Sequence, residues 1–145
     1  MWRQRGRKWS RPMGAGRTIC LKVRPSPIQG MGLYWDDARD GEEGQRLGYV
    51  SGRVVFASDS QGAAEDWALK QTDDRLIMLR LDNQWAIVDA RGSVFEFANH
   101  AAEEEGAVLH ITEGGAVELQ ADVTRSTELT WCYGRLHAAS HIHPV

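Results

Sequence analysis

Three small groups of residues have types and spacings that could do chemistry. Gly30-Met31-Gly32-Leu33 places two glycines one residue apart at the head of an apolar run. Glycine tolerates positive φ and has no side chain, so such a loop lets main-chain amides and carbonyls approach a ligand. Taken alone, the pair is more simply a tight turn entering a strand. Asn99-His100 offers an amide that both donates and accepts, which suits a ligand bearing an α-amino and a carboxylate group. Its plain reading is a satisfied loop pair. His137, His141 and His143 bring three imidazoles close together near the end of the chain. They have no cysteine partners in a polar stretch, so they read as solvated and no metal is assigned.

The elements that must position these groups are short. Fifteen glycines are spread along 145 residues, and brief apolar runs alternate with turn signals, a β-rich pattern. Residues 18–23 alternate and read as a strand. Residues 30–34 read as a glycine turn entering a second. Residues 47–50 and 53–56 form two more, separated by Ser51-Gly52. Residues 62–70 carry the best helix pattern. Residues 76–81 and 85–88 flank Asp82-Asn83, a hairpin turn. Residues 108–111 and 116–120 flank Glu113-Gly114-Gly115, and residues 128–131 form a last strand. The fold class read from the residues is mainly β, an α+β chain of several small sheets or a sandwich.

Composition is globular, with 42% hydrophobic and 26% charged residues. No apolar run approaches the roughly 18 residues of a membrane helix. Cys20 and Cys132 are too few for a disulfide scaffold and read as reduced thiols. The net charge of −3 conceals an asymmetry: the first 24 residues carry eight basic side chains and no acid, the remainder 9 basic and 20 acidic. Residues 1–24 therefore read as a flexible basic arm on an acidic body. Three roles are open to it: an unspecific solvated tail, a targeting peptide, or a nucleic-acid contact in which Trp2 and Trp9 stack on bases.

Taken in order, six blocks resemble the SET domain, the fold of protein-lysine methyltransferases. Ile28-Gln29-Gly30-Met31-Gly32-Leu33-Tyr34 is similar to its G-x-G loop, and Leu47-Gly48-Tyr49-Val50-Ser51-Gly52 to the stretch ending in Y-x-x-G. Trp85-Ala86-Ile87-Val88-Asp89-Ala90-Arg91 resembles its I-D-A strand, and Glu96-Phe97-Ala98-Asn99-His100 its R-F-I-N-H motif. Residues 121–126 resemble the segment A-x-R-D-I-x-x-G. Thr127-Glu128-Leu129-Thr130-Trp131-Cys132-Tyr133-Gly134 closely resembles G-E-E-L-T-x-D-Y-G and is the most specific block. Glu96 stands where the family has Arg, Ala101-Ala102 where it has Ser-Cys, Thr127 where a first Glu is common, and Cys132 where Asp or Asn is common. The acidic run Glu103-Glu104-Glu105 resembles the PR-domain branch, although PR domains usually lack the histidine found here.

The resemblance implies a layout of basic arm 1–24, SET domain 25–136 and tail 137–145, with a C-terminal segment threaded beneath a loop as a pseudoknot. It implies S-adenosyl-L-methionine as methyl donor, held by Gly30, Met31, Gly32, Leu33, Asn99 and His100. Tyr133 is implied as the catalytic tyrosine and Tyr49 as lining of the lysine channel. The implied partner is a lysine-bearing protein, histone tails by default, and the acidic body suits such a basic peptide. No flanking Cys-rich module is present, so the channel is open, or closed by His137 or by the partner subunit of a homodimer. The competing reading is a SET-fold interaction module without catalysis.

Overall fold

The computed structural model describes residues 2–13, 16–71, 76–101, 105–112 and 114–132. Tyr133, Gly134, the three histidines beyond them, Ala102 to Glu104 and Glu113 lie outside the described residues.

The first sheet is an antiparallel meander of β1 (Arg3–Arg5), β2 (Lys8–Pro12), β3 (Thr18–Pro25) and β4 (Met31–Trp35). Its inner face is made by strict alternation: Ile19, Leu21 and Val23 on β3 are buried while Cys20, Lys22 and Arg24 between them are not. Trp9 pairs with Leu21, which pairs with Trp35, so one row of large apolar side chains crosses three strands. Burying each such side chain contributes about 1.5–3 kcal/mol.

This corrects the expectation of a flexible arm over residues 1–24. Those residues are built into the sheet as three strands, and Trp9 is a core residue. Trp2 also points inward: its indole Nε1 donates to the Leu47 carbonyl at 3.0 Å, and its ring meets Phe95 edge-on at 6.4 Å. The physical reason is the spacing. The basic residues fall mostly between apolar ones, so a strand turns its charges to water and its Trp, Ile, Leu and Val to the core. Neither tryptophan is placed to stack on a base.

A second sheet has the order β5 (Arg46–Tyr49), β11 (Ala116–Leu119), β10 (Leu109–Ile111), β12 (Thr130–Trp131), β9 (Asn99–His100). Here β12 lies parallel to both β10 and β9 and is inserted between the two strands that residues 101–108 connect. Leu129 and Trp131 are buried against Phe95, Leu109 and Leu33, so the inserted segment is also a core element. The expected threading of the chain beyond β12 lies outside the described residues.

The third sheet, β6 (Arg53–Ser58), β8 (Gln84–Asp89) and β7 (Leu76–Leu81), packs with α1 (Gln61–Leu69) around a separate cluster of Ala64, Ala68 and Ile87. Ser60 caps α1, its hydroxyl accepting from the Ala63 amide at 3.2 Å. The Asp82-Asn83 turn has φ of 48° and 64°, the left-handed pair that a two-residue hairpin requires. The architecture is thus mainly β in several small sheets, as the sequence indicated. Residues 47–50 and 53–56, adjacent in sequence, belong to different sheets.

Candidate functional site

The site is the place where three distant segments meet. Ser26 follows β3 and opens a turn: its hydroxyl accepts the Ile28 amide at 2.9 Å, and the Ser26 amide donates to the Gly30 carbonyl at 2.8 Å. Gly30 closes the turn with φ of 48°, a conformation disfavoured for residues with a Cβ. The chain then enters β4 at Met31. Gly32 is the next constraint, because a Cβ there would collide with the Glu128 carboxylate and lie 3.0 Å from the Ser26 Cβ. A side chain at position 32 would displace the Glu128 carboxylate from its present place.

Glu128 is the hub. It forms an isolated antiparallel bridge with Tyr34, and Leu129 donates its amide to the Leu33 carbonyl at 2.7 Å, so the segment before β12 is stitched along β4. Both carboxylate oxygens accept from the Ser26 hydroxyl, at 2.9 and 2.8 Å. The Tyr34 phenol lies 3.3 Å from one of them and 3.2 Å from the Pro25 carbonyl. The Arg24 guanidinium lies over the Tyr34 ring, 4.0 Å from its centre.

Asn99 reaches the same point from β9. Its Nδ2 lies 3.1 Å from the Gln29 carbonyl, 3.1 Å from the Met31 carbonyl and 3.0 Å from Glu128 Oε2. All three neighbours are acceptors, which fixes the amide with its nitrogen toward them. An amide has two hydrogens, so they are shared among three oxygens. The glycine loop is thereby latched to β9, and Asn99 in turn is held in register opposite Thr130. His100 lies beside it, half-buried, opposite Trp131.

The structure therefore brings together Gly30, Met31, Gly32, Leu33, Asn99 and His100. It does not bring Tyr49 to them. Tyr49 is on β5, at the opposite edge of the second sheet from β9, 54% exposed, and its phenol oxygen accepts from Arg46 at 3.0 Å. That strand faces water on this side, so its tyrosine packs on a neighbouring arginine instead of lining the loop. Tyr133 follows directly on Cys132, at the end of the segment that carries Glu128, and lies outside the described residues.

Ser26 carries no signal in the sequence, and Tyr34 and Glu128 stand in motif blocks without an assigned role. The available signal was Glu128 itself, an acid set against the buried run Leu129-Thr130-Trp131. Such a group needs donors nearby. Glu96, which departs from the expected Arg, has a local function: Oε1 accepts the Gly92 amide at 2.9 Å and closes the turn before the 3-10 helix Val94–Phe97.

Chemically, the junction is rich in acceptors. Two main-chain carbonyls and a carboxylate converge on one amide nitrogen, an arrangement suited to a ligand that offers N–H donors and positive charge. Among solved structures, the chain is similar to the methyltransferase domain of human PR domain-containing protein 2, with a TM-score of 0.54 and 14% identity over 77% of this chain and 74% of that one. The fold is SET-like. No family model matches the chain, and no curated protein matches its sequence. The likeness therefore concerns architecture, and the chemistry rests on the residues of the junction.

Proposed function

We propose that the chain is an S-adenosyl-L-methionine-dependent protein-lysine N-methyltransferase. The observation that carries this reading is the convergence of the Gln29 and Met31 carbonyls with Glu128 on the Asn99 amide nitrogen. It supports a binding place for the amino-acid end of the donor, whose ammonium group presents N–H bonds and a positive charge to acceptors of this kind. Gly30, Met31, Gly32, Leu33, Asn99 and His100 would hold it. When bound, the donor supplies a methyl group on a positive sulfonium for in-line displacement.

The rest of the chemistry falls to protein groups. A free lysine is almost wholly protonated at neutral pH. A narrow apolar channel and a neighbouring positive charge both disfavour the ammonium form, so the amine would be neutral when it attacks. The Tyr133 hydroxyl would orient that amine, and alignment would supply much of the rate. A lysine in a basic protein tail, histone tails first, is the substrate class that the acidic body favours.

A second reading has an observation of its own. The Asn99 amide hydrogens are already satisfied internally, so the loop is latched without a ligand, as a non-catalytic interaction module would need.

Calorimetric titration with S-adenosyl-L-methionine separates the two. The methyltransferase reading expects saturable one-to-one binding, weakened at least tenfold by Asn99→Ala. It also expects Tyr133→Phe to retain donor binding and lose most methyl transfer. A folded chain with no heat of binding would overturn the enzyme reading and leave the interaction module.

A further inference from the structure

The outer face of the first sheet carries a row of cations that, among the described residues, has no acidic partner. Register fixes the arrangement. Arg5 is directly opposite Lys8, Lys8 is directly opposite Lys22, and Lys22 is directly opposite Tyr34, so one row crosses all four strands. Arg3, two residues from Arg5 on β1, and Arg24, two residues from Lys22 on β3, share that face. Among the described residues, no acid pairs with Arg3, Arg5, Lys8 or Lys22. The acids that border the face are engaged elsewhere: Asp37 accepts the Cys20 amide at 3.1 Å, Asp36 meets Arg125 at 3.5 Å, and Glu128, beyond Tyr34, accepts from Ser26 and Asn99.

This arrangement works against stability. Like charges directly opposite one another across strands are destabilising, and here two such pairs are consecutive. The inner face needs only alternation, and any polar residue would satisfy the outer one. The charges also stand within a chain whose net charge is negative, so overall solubility does not call for them. The face carries no exposed tryptophan, phenylalanine or leucine among its described residues. Insertion into a membrane would call for such groups beside the lysines, and a protein hot spot would be built around an aromatic anchor.

We propose that this face binds the phosphate backbone of nucleic acid, without reading its sequence. The cations of the row are spaced by about 5 Å across the strands, and duplex DNA offers a phosphate about every 3.4 Å on each strand, so several of the five basic residues engage at once. The face borders the junction described above, because Arg24 covers Tyr34 and Tyr34 reaches Glu128. A chain held on nucleic acid here would keep that junction at the edge of the contact. The inference stands whether or not the junction binds a methyl donor.

The test is fluorescence anisotropy of a labelled random-sequence duplex of about 20 base pairs, read at salt concentrations from about 50 to 200 mM. The expected result is log-linear weakening with salt, with a slope of about −4.5 for five phosphate contacts. The triple substitution Arg5→Gln, Lys8→Gln, Lys22→Gln should flatten that slope by roughly 2.7 and weaken binding at least tenfold at low salt. Its thermal midpoint should equal or exceed that of the wild type, since repulsion is removed; this keeps lost binding distinct from lost fold. Arg53→Gln, on the third sheet, should leave the slope unchanged. Absence of duplex binding at low salt, a slope untouched by the triple substitution, or an equal loss from Arg53→Gln overturns the proposal. So does binding to phosphatidylserine vesicles without binding to the duplex.

Discussion

Two regions of this molecule are built in opposite ways. The third sheet with α1 is assembled from neighbours in sequence: β7 and β8 join through Asp82-Asn83, and Phe56 stacks on Trp67 at 5.1 Å within one short stretch. The junction of Ser26, Tyr34, Asn99 and Glu128 is assembled from strangers. Ser26 and Glu128 are 102 residues apart, Tyr34 and Glu128 are 94 apart, and the contacts are polar. The local unit relies on turn geometry and a small apolar cluster. The junction relies on a partly buried carboxylate that three side chains must satisfy together. The difference shows that the polar junction forms where the longest loops close, while the local unit is held by residues close in sequence.

The sharpest test of the contrast compares two phenylalanines. Phe95 is buried between Trp2 and Trp131 under the junction, and Phe95→Ala should cost about 3–5 kcal/mol. Phe56 is only half-buried, and Phe56→Ala should cost about 1–2 kcal/mol. Urea denaturation measures both, and equal costs would erase the distinction between a principal core and a peripheral one. Next in size is Glu128→Ala, which removes the acceptor shared by Ser26, Tyr34 and Asn99 and should cost about 2 kcal/mol. Its control is Glu118→Gln, which breaks the exposed 3.2 Å pair with Arg46 and should cost under about 1 kcal/mol. If the two losses match in thermal melts, Glu128 is an ordinary surface acid.

In the local unit, Asn83 stands at φ of 64°, which asparagine tolerates through its short polar side chain; Asn83→Ala loses that tolerance and should cost about 1 kcal/mol. Asn83→Gly should recover it, and failure of that recovery would shift the explanation from backbone to side chain. The smallest effect concerns Cys20. Burial first, then the charges of Asp37 and Asp36, push its thiol above the ordinary range. A raised pKa in the folded state favours the protonated form, so its contribution is complete below about pH 8.5 and is lost as pH rises through the folded value. Cys20→Ser should therefore flatten the fall in thermal midpoint between about pH 8 and 10. An identical pH profile would remove Cys20 from alkaline stability.

Legibility in the sequence followed the same division. The hairpin at Asp82-Asn83, the helix near residues 61–69 and the strand over residues 18–25 were readable because each depends on residues a few positions apart. β1 and β2 were hidden because their arginines read as a solvated tail, although Trp9 sits between charges as a buried strand residue does. At the junction, the order of the glycine loop and Asn99 was readable as a motif. The hydrogen bonds of Ser26 and Tyr34 to Glu128 were not, since nothing local marks a hydroxyl for a carboxylate about 100 residues away. Tyr49 shows the reverse error: its motif was readable, but its position at a sheet edge depends on strand order.

The insertion of β12 between β9 and β10 has a consequence for how the protein is made. A ribosome releases about 5–20 residues per second, so Ser26 emerges roughly 5–20 s before the Glu128 that it must meet 102 residues later. Until then the glycine loop has no latch, β9 and β10 have no strand between them, and Phe95 and Leu33 lack the cover of Leu129 and Trp131. A nascent chain stopped short of this segment presents apolar surface and an incomplete junction. Placement of β12 is thus a checkpoint: an unfinished copy differs from a finished one in the exposure of Leu33 and Phe95, the apolar surface that chaperones and proteases recognise.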